Sequence, residues 1–307
     1  MKVVTQFDQT LSKPTAVALG NFDGLHLGHQ RVISTILDTA AVSTVVSFDP
    51  HPQEFFSQIP RFQLTPLPEK QILLERLGVQ QLVILPFTES LAELSYSEFI
   101  ERILQNYLQA EHIAVGFNFR FGKNRQGTIY DLKRVWGDRL SIISEQCLSD
   151  AVRISSSNIR NALERGDLEL AKRMLGRPYS LTGKVIYGQQ LGRQLGFPTA
   201  NLLLPERKFL PRHGVYAVQV DCIHGVNLVG VMNIGVRPTV ENGCTREVYR
   251  PVVEVHIMDW EGNLYGSEMR VQLISFLRPE HKFHSLEELK QQIAKDCSSA
   301  KRMRSLI

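Results

Sequence analysis

The sequence lacks the features that mark secreted, membrane-spanning and zinc-binding proteins. Its four cysteines are isolated and none belongs to a CxxC pair, which argues against a zinc knuckle or a disulfide framework. The stretch MKVVTQFDQTLSKP has no apolar core of the kind found in secretory signals. No apolar run approaches the about 18 residues that a membrane helix needs. We therefore expect a cytoplasmic protein with reduced thiols and no membrane contact.

A concentrated charge of one sign is also missing. Lysine and arginine are spread along the chain, with no basic block that would indicate a nucleic-acid partner. The net charge of +4 suits anionic substrates such as nucleotides, but it is weak evidence by itself. With 307 residues, of which 43% are hydrophobic, the chain is long enough for two domains that each bury a core.

The first half of the chain alternates short apolar strands with amphipathic helices. This alternation predicts an α/β domain in which helices cover both faces of a parallel sheet. In such sheets ligands bind beyond the carboxyl ends of the strands. The predicted strands are residues 15–19, 43–48, 81–85, 112–115 and 141–143, and the predicted helices are residues 29–41, 68–77, 97–109 and 157–175, the last with a break at Gly166.

The pattern changes after residue 178. Residues 181–277 show apolar alternation, β-branched residues and turn signals, which predict a small antiparallel barrel with strands at 216–220, 228–232, 252–257 and 269–276. A closing helix over 285–295 would begin with Ser285 as N-cap and Glu288 as its capping-box partner. We place the boundary near residue 180, which gives domains 1–180 and 181–307.

A glycine-rich loop, GNFDGLHLGH, follows the first strand at residues 20–29. Gly20, Gly24 and Gly28 would let the backbone approach a phosphate closely where a strand turns into a helix, and the N–H groups of a helix start attract negative charge. His26 and His29 are three residues apart, so both can reach a phosphate chain from one face. A pair of metal ligands is the alternative interpretation of these histidines.

HxGH after a first strand resembles the nucleotidylyltransferase superfamily. The longer strings GNFDGLHLGHQ, SFDPHP, GFNFRFG and RISSSNIR are similar to bacterial FMN adenylyltransferase domains, and the resemblance covers residues 15–175. Ser157 stands where that family usually has threonine, and Asn118 stands where many members have aspartate. A hydroxyl and a hydrogen-bonding amide are thus kept, but a charge at residue 118 is not.

The resemblance implies roles for the residues of the first domain. FMN already carries an ionised phosphate, so its attack on the α-phosphate of ATP needs no protein base, and catalysis reduces to alignment and charge neutralisation. The implied catalytic residues are His26, His29 and Arg160. The implied ATP- and phosphate-binding residues are Gly20, Asn21, Phe22, Asp23, Gly24, Gly28, Arg153, Ser156 and Ser157, and the implied flavin-binding residues are Asp49, Asn118 and Phe119.

A second glycine-rich segment, GRQLGFPTAN at residues 192–201, lies in the C-terminal half. Read from the residues alone it is a long hairpin or a binding loop. Thr199 and Asn201 carry oxygens at positions i and i+2 of an extended stretch, so they would point the same way, as a magnesium site that shares phosphate oxygens requires.

This segment resembles the signature of riboflavin kinases, and MNIGVRPT, VEVHI and LRPEHKF match further elements of that family in order, over about residues 181–300. The resemblance implies a six-stranded barrel, magnesium-ATP held by Thr199 and Asn201, and Glu254 as the base. Riboflavin presents a neutral alcohol that must lose its proton, although strand spacing alone would favour a solvated carboxylate at Glu254. Further implied residues are Gly188, Gly192, Arg193 and Gly196 for ATP, and Asn233 and Arg278 for the flavin. The connection 240–251 is longer than is usual in the family.

Together the two resemblances identify the chain as a member of the bifunctional riboflavin kinase/FMN adenylyltransferase family. They imply that riboflavin and ATP give FMN and ADP, and that FMN and ATP give FAD and pyrophosphate, with Mg²⁺ as cofactor. The sequence does not determine the oligomeric state. An aminoacyl-tRNA synthetase is disfavoured because no KMSKS-like loop is present. A non-catalytic flavin sensor would be expected to lose Glu254, Thr199 or one histidine. The possibility that only one of the two domains is catalytically active is left open by the sequence.

Overall fold

A computed structural model of the chain describes residues 1–7, 10–188, 192, 195–221, 227–240 and 247–303. The chain forms two compact units, Met1–Ser156 and Ser157–Ile307. The two units are divided at a different residue from the predicted domains, and the domain limits 1–180 and 181–307 stay a prediction. Arg193, Cys222, Cys244 and the centre of the connection 240–251 lie outside the described residues.

The first unit is built on a six-stranded parallel sheet with the strand order β1-β4-β3-β2-β5-β6. The strands are β1 (Lys2–Val4), β2 (Thr15–Leu19), β3 (Val42–Asp49), β4 (Gln81–Pro86), β5 (Ala110–Gly116) and β6 (Leu140–Ile143). The predicted α/β class is confirmed. From β2 the chain first adds strands on one side and later returns to β5 on the other. The crevice beyond the carboxyl ends of β2 and β5 is therefore the position where such sheets bind ligands.

Helices cover both faces of this sheet. They are α1 (Leu27–Leu37), α2 (Pro52–Ser57), α3 (Leu67–Arg76), α4 (Glu89–Ala92), α5 (Tyr96–Glu98), a π-helix (Phe99–Tyr107) and α6 (Ile129–Trp136), with short 3-10 turns at Lys123–Arg125 and Gly137–Arg139. Val17 and Leu19 of β2 face the apolar cluster under the π-helix and α6, whereas Ala16 and Ala18 face the cluster under α1 and α3. Burial on both faces explains why the strands are continuous apolar runs.

The segment predicted as one α-helix over residues 97–109 differs from the expectation. It is a short α-helical turn followed by a π-helix, with Leu108 N donating to Ile103 O at 2.9 Å, five residues back. Its buried side chains, with that of Leu108 just after it, are Phe99, Ile100, Ile103, Leu104 and Leu108. This spacing is close to that of an α-helix, so the apolar pattern by itself does not distinguish the two helix types.

The second unit begins with two helices, α7 (Ser156–Arg165) and α8 (Leu168–Leu175). The predicted break at Gly166 is confirmed, since this residue has φ +78°. Asp167 then caps α8 by accepting from Leu170 N at 3.0 Å. The left-handed backbone at residue 166 favours glycine because a side chain there would be strained.

A closed six-stranded antiparallel barrel follows, with the order β10-β11-β8-β7-β12-β9. Its strands are β7 (Ser180–Ile186), β8 (Ala200–Leu203), β9 (Gly214–Asp221), β10 (Asn227–Val240), β11 (Glu247–Ile257) and β12 (Glu268–Arg278). The expected barrel is confirmed, and four of its strands contain the segments predicted from alternation. β7 and β8 were not predicted as individual strands because glycine and short length weaken their pattern.

The closing helix α9 (Leu286–Met303) is longer than the predicted 285–295. It packs on the outside of the barrel, where Ala300 joins a buried cluster with Val215 and Val231. Ser285 accepts from Glu288 N at 3.1 Å as predicted, but the Glu288 carboxylate accepts from His284 N instead of completing the capping box at residue 285. Among the helices that the structure describes, none combines the length and apolarity required for crossing a bilayer.

Two candidate active sites

The loop between β2 and α1 has an unusual backbone. Phe22, Gly24 and Leu25 all have positive φ, at 49°, 89° and 44°. Such conformations are costly for residues other than glycine and persist only where the surroundings fix them. The loop lies at the carboxyl end of β2, in the expected ligand crevice, so its shape is a property of the candidate site.

Distant segments hold this loop in shape. Thr65 donates its backbone N–H to the Asp23 carboxylate at 3.1 Å and accepts from Gly24 N at 2.9 Å. The hydroxyl of Ser156 donates to the Asp23 carbonyl at 2.8 Å. Asp23 is buried, which makes it a structural anchor of the loop. The predicted phosphate-binding residues Asp23 and Ser156 are therefore brought together by direct contact.

The two histidines of HxGH stack on one another. Their ring centroids are 3.6 Å apart, with an interplanar angle of 17°. His26 is the N-cap of α1, and its Nδ1 accepts from His29 N at 3.2 Å. His26 is buried, whereas His29 is half-buried and lies edge-on to Phe22 at 5.3 Å. The expectation that both rings share one face at the helix start is thus met in the geometry.

Gly28 has a contact that the sequence did not suggest. The sequence predicts that Gly28 lets the backbone approach a phosphate, and the structure adds that a Cβ at this position would lie 3.2 Å from the imidazole of His26. The glycine therefore lets the His26 ring pack against the start of α1. A larger residue would displace that ring.

A cavity of about 1000 Å³ opens beside this loop and carries many aromatic rings. Its lining includes the predicted residues Gly20, Asn21, Asn118 and Phe119. Asp49 ends β3, is exposed, and lies in sequence between Phe48 and His51, which both line the cavity. The aromatic side chains of the lining are Phe48, Phe56, Phe87, Phe99, Phe119 and Phe121.

Phe56 and Phe87 were missed by sequence analysis. Their ring centroids are 5.9 Å apart, and Phe56 is 68% exposed although it is a large apolar residue. Phe87 also lies edge-on to Phe48 at 5.8 Å. These rings come from three separate segments, so only the tertiary structure shows that they converge. An exposed aromatic in a cavity is a candidate contact for a flat ring system.

Lys70 of α3 was also missed. Its ammonium donates to the Asn21 carbonyl at 2.9 Å and to the Ser47 hydroxyl at 3.3 Å. Loss of hydration lowers the pKa of Lys70, and attraction to the carboxylates of Asp23 and Asp49 opposes that shift. Lys70 thus contacts the predicted site residue Asn21 directly and interacts electrostatically with two others, Asp23 and Asp49.

The RISSSNIR residues are divided between the units. Arg153 forms an ion pair with Glu145, with Nε and Oε1 2.7 Å apart. Ser157 and Arg160 belong to α7 in the second unit, where the Arg160 guanidinium lies 5.6 Å from the centroid of the Phe209 ring. The predicted phosphate-binding roles of Arg153 and Ser157 and the predicted catalytic role of Arg160 stay predictions.

The second candidate site is a row of side chains across neighbouring strands of the barrel. Glu254 of β11 is the direct partner of Asn201 in β8 and of Asn233 in β10. The row continues to Val215 in β9 and then to Arg278 in β12. Directly opposed residues of antiparallel strands point to the same face, so these side chains lie together.

This face is the outside of the barrel. Val253 and Val255, on either side of Glu254, are buried, whereas Glu254 itself is half-buried. It lines a cavity of about 210 Å³ that Leu289 and Ile293 of α9 also line. The solvated strand carboxylate favoured by spacing alone is therefore not what the structure has, because the closing helix covers this part of the outer face.

Five predicted kinase residues line the same cavity. They are Gly192, Thr199, Asn233, Glu254 and Arg278. Asn201 is buried next to Gly188, where a Cβ would lie 2.2 Å from the Asn201 Nδ2. Gly196 has φ +84° in the turn that leads into this segment. The structure thus brings together residues from four motifs separated by up to 86 positions in the printed sequence.

Two further contacts organise this cavity. The Arg278 guanidinium forks onto Asp296 of α9, with Nη2 and Oδ2 2.8 Å apart. Asn233 donates Nδ2 to Glu280 at 3.1 Å, and its buried Oδ1 has no hydrogen-bond partner within the described part of the chain. Asp296 and Glu280 were missed by sequence analysis. Glu280 lies within the LRPEHKF string, whereas nothing in the sequence distinguishes Asp296 from a surface helix residue.

The first unit has a parallel sheet with a histidine pair at the start of a helix. The second has a barrel that presents a carboxylate between two asparagines. These features define an enzyme with two active sites that uses nucleotide substrates. Two family models match the chain. The FAD synthetase model matches residues 8–158, and the riboflavin kinase model matches residues 175–304. The chain belongs to the bifunctional riboflavin kinase/FMN adenylyltransferase family.

Relatives support this membership over nearly the whole chain. The bifunctional riboflavin kinase/FMN adenylyltransferase of Buchnera aphidicola is 36% identical and covers 97% of this chain and 96% of its own length. The protein of the same name from Haemophilus influenzae is 40% identical, with 93% of each chain covered. A solved structure from Streptococcus pneumoniae, described as a macrolide-efflux protein, is similar with a TM-score of 0.84 and 28% identity, covering 98% of this chain and 99% of its own.

Proposed function

We propose that the barrel unit phosphorylates riboflavin with ATP to give FMN, and that the sheet unit joins FMN to an adenylyl group from a second ATP to give FAD. The observation that carries this proposal is Glu254, held between Asn201 and Asn233 in the cavity beneath α9. The same chain presents the stacked pair His26 and His29 at a helix start. The first site would thus make the acceptor that the second consumes.

In the kinase reaction, Glu254 acts as general base. The riboflavin hydroxyl loses its proton to the Glu254 carboxylate as its oxygen attacks the γ-phosphorus of ATP. The bond between that phosphorus and the β,γ-bridging oxygen breaks, and ADP leaves. The Oδ1 of Asn233, next to Glu254 in the row, has no hydrogen-bond partner among the described residues and is suited to accept from a hydroxyl of the flavin side chain. Arg278 contributes positive charge at the far end of the row.

Thr199 and Asn201 would hold the magnesium ion of magnesium-ATP. Their side-chain oxygens fit this ion, because Mg²⁺ prefers oxygen ligands. Substrate phosphates and water commonly complete its coordination shell. Among the described residues, no group of three or more histidine, cysteine, aspartate or glutamate side chains is placed to hold a metal ion. When bound, the ion would neutralise charge on the phosphates. Gly188, Gly192, Arg193 and Gly196 would complete the ATP site.

In the adenylyl transfer, an FMN phosphate oxygen attacks the α-phosphorus of ATP and pyrophosphate leaves. The attacking phosphate is already ionised, so this step uses no base. His26 and His29 would donate to the phosphates, with Arg160, Arg153 and Ser157 in the same role. Ser156 would support phosphate binding by holding the loop, since its hydroxyl donates to the Asp23 carbonyl. The loop of Gly20, Asn21, Phe22, Asp23, Gly24 and Gly28 would close around the nucleotide. Gly20 and Gly24 would act through the shape of the backbone, because their N–H groups donate to the Val46 carbonyl and to the Thr65 hydroxyl. Asp49, Asn118 and Phe119 would contact the flavin in the aromatic cavity.

The direct test is to incubate the purified protein with riboflavin, ATP and magnesium and to resolve the flavins by chromatography. We expect FMN to appear first and FAD to follow. A folded preparation that forms neither product would contradict the proposal.

We also propose that the protein is cytoplasmic. Fractionating cells that express the chain tests this proposal, and recovery with the membrane or secreted fraction would contradict it.

A further inference from the structure

Lys70 occupies a position that local electrostatics disfavours. It lies at the end of the first turn of α3, where the helix already presents positive potential from its free N–H groups. Its side chain is also partly buried, which adds the cost of lost hydration. A residue that breaks a local rule in this way is expected to serve something outside its own helix.

The partners of Lys70 show what it serves. Its ammonium and the Ser47 hydroxyl both donate to the Asn21 carbonyl, at 2.9 Å and 3.2 Å, and the ammonium also donates to Ser47 at 3.3 Å. Asn21 is the first residue after Gly20 in the loop that leads to HxGH. Phe22, which follows it, has a strained positive φ. Lys70 therefore fixes the carbonyl group that immediately precedes the strained part of the loop.

The charge of Lys70 has a second consequence. Asp23 and Asp49 are the two carboxylates that attract its ammonium. Without this cation, the negative charge of the two carboxylates would oppose the binding of the ATP polyphosphate more strongly. Asp23 is buried, so removing the cation that attracts its carboxylate costs more than it would at an exposed carboxylate such as Asp49.

We propose that Lys70 is a positioning residue of the adenylyl-transfer site, which fixes the Asn21 carbonyl and neutralises Asp23 and Asp49 so that the loop can accept the triphosphate. This rests on the proposed function, in which the loop binds ATP. Because Lys70 acts through the loop and the carboxylates, its removal weakens ATP binding as well as turnover. A residue that only stabilised the fold would leave the KM of the folded fraction unchanged.

The test measures FAD formation from added FMN at varied ATP, with Lys70→Met, Lys70→Gln and Lys70→Arg. For Lys70→Met we expect the KM for ATP to rise about tenfold and kcat to fall about tenfold. Lys70→Gln can still donate to Asn21 but carries no charge, so the KM should rise while kcat falls less. Lys70→Arg keeps the charge and should recover most of the KM effect. Lys70→Gln also serves if Lys70→Met is recovered unfolded.

Two controls accompany these variants. Lys133→Met removes an exposed lysine from α6 of the same unit and should change neither constant. FMN formation from riboflavin, measured on each preparation, should stay at the wild-type rate. A KM for ATP within about twofold of wild type in Lys70→Gln, or a KM in Lys70→Arg as high as in Lys70→Gln, would overturn the inference. Wild-type protein that forms no FAD would instead overturn the proposed function.

Discussion

The two proposed sites of this chain differ in the side chain that would lie next to the acceptor. The barrel site presents a carboxylate, Glu254, in a row with two asparagines. The sheet site presents two stacked imidazoles, His26 and His29, above a loop whose Asp23 is engaged with Thr65. The difference follows from the acceptors. An alcohol must lose a proton to attack phosphorus, whereas a phosphate is already ionised, so a base is needed at only one of the two sites.

The sites also differ in how they are held. Strand register fixes Glu254, because each neighbour in the row is set by the barrel ladder. The loop before His26 is instead held by side-chain contacts from residues 47, 65, 70 and 156. The barrel site should therefore tolerate loss of single polar contacts better than the loop site does.

The largest effect is expected from Glu254→Gln. The amide keeps the shape but cannot accept the riboflavin proton, so the rate of FMN formation should fall by about 100- to 10,000-fold. The measurement is initial FMN formation at saturating riboflavin and ATP. Glu268→Gln, at an exposed carboxylate of the same barrel, is the matched control and should keep full activity. A Glu254→Gln protein with more than about a third of wild-type activity would contradict the role of Glu254 as general base.

His29→Ala should lower FAD formation from added FMN by about 100- to 1,000-fold, because one donor to the phosphates is lost. The control is His112→Ala, which removes a histidine of β5 that contacts Ser141 at 2.9 Å. That variant should form FAD at close to the wild-type rate. Equal losses in the two variants would show that the effect of His29→Ala reports on the fold and not on the site.

A pair of glycine substitutions compares the two sites directly. In Gly188→Ala the new Cβ would lie 2.2 Å from the Asn201 Nδ2, and FMN formation should fall by up to about 100-fold as Asn201 is displaced. In Gly28→Ala the new Cβ lies 3.2 Å from the His26 ring, so FAD formation should fall less, by about tenfold. Each variant should leave the other reaction intact. The account would be contradicted if Gly188→Ala lowered FAD formation from added FMN instead.

The smallest effect on activity is expected from Asp296→Asn, which weakens the hold of α9 on Arg278. We expect a loss of about 1–3 kcal/mol in the free energy of unfolding and a severalfold rise in the KM for riboflavin. The matched control is Asp259→Asn, because Asp259 pairs with Lys301 of the same helix but is 73% exposed. Exposed pairs contribute about 0–1 kcal/mol, so thermal melts should separate the two variants. Equal melting temperatures would show that Arg278 does not need Asp296.

Local patterns predicted the elements well where the pattern is strong. The strand at residues 15–19 and the break at Gly166 follow from apolar runs and glycine chemistry, and both are present. The π-helix at Phe99–Tyr107 was not predicted, since its apolar spacing is close to that of an α-helix. The strand β8 was not predicted either, because its four residues are too few to show a clear alternation of apolar and polar side chains.

The sites were less predictable than the fold because they depend on contacts between distant segments. Period-two spacing assigned Glu254 to the outer face correctly, but it could not show that α9 covers that face. Phe56, Phe87 and Lys70 reach the first site from segments without motifs, so only the folded chain identifies them. Asp296 was missed for the same reason.

The central claim is that each reaction belongs to one site. The most direct measurement assays Glu254→Gln and His29→Ala side by side, each supplied with riboflavin in one assay and with FMN in another. The account predicts that Glu254→Gln forms FAD from FMN at the wild-type rate but forms FMN at least about 100-fold more slowly. It predicts that His29→Ala forms FMN at the wild-type rate but forms FAD at least about 100-fold more slowly. If either substitution abolished both reactions in a protein that melts like the wild type, the assignment of one reaction to each site would be wrong.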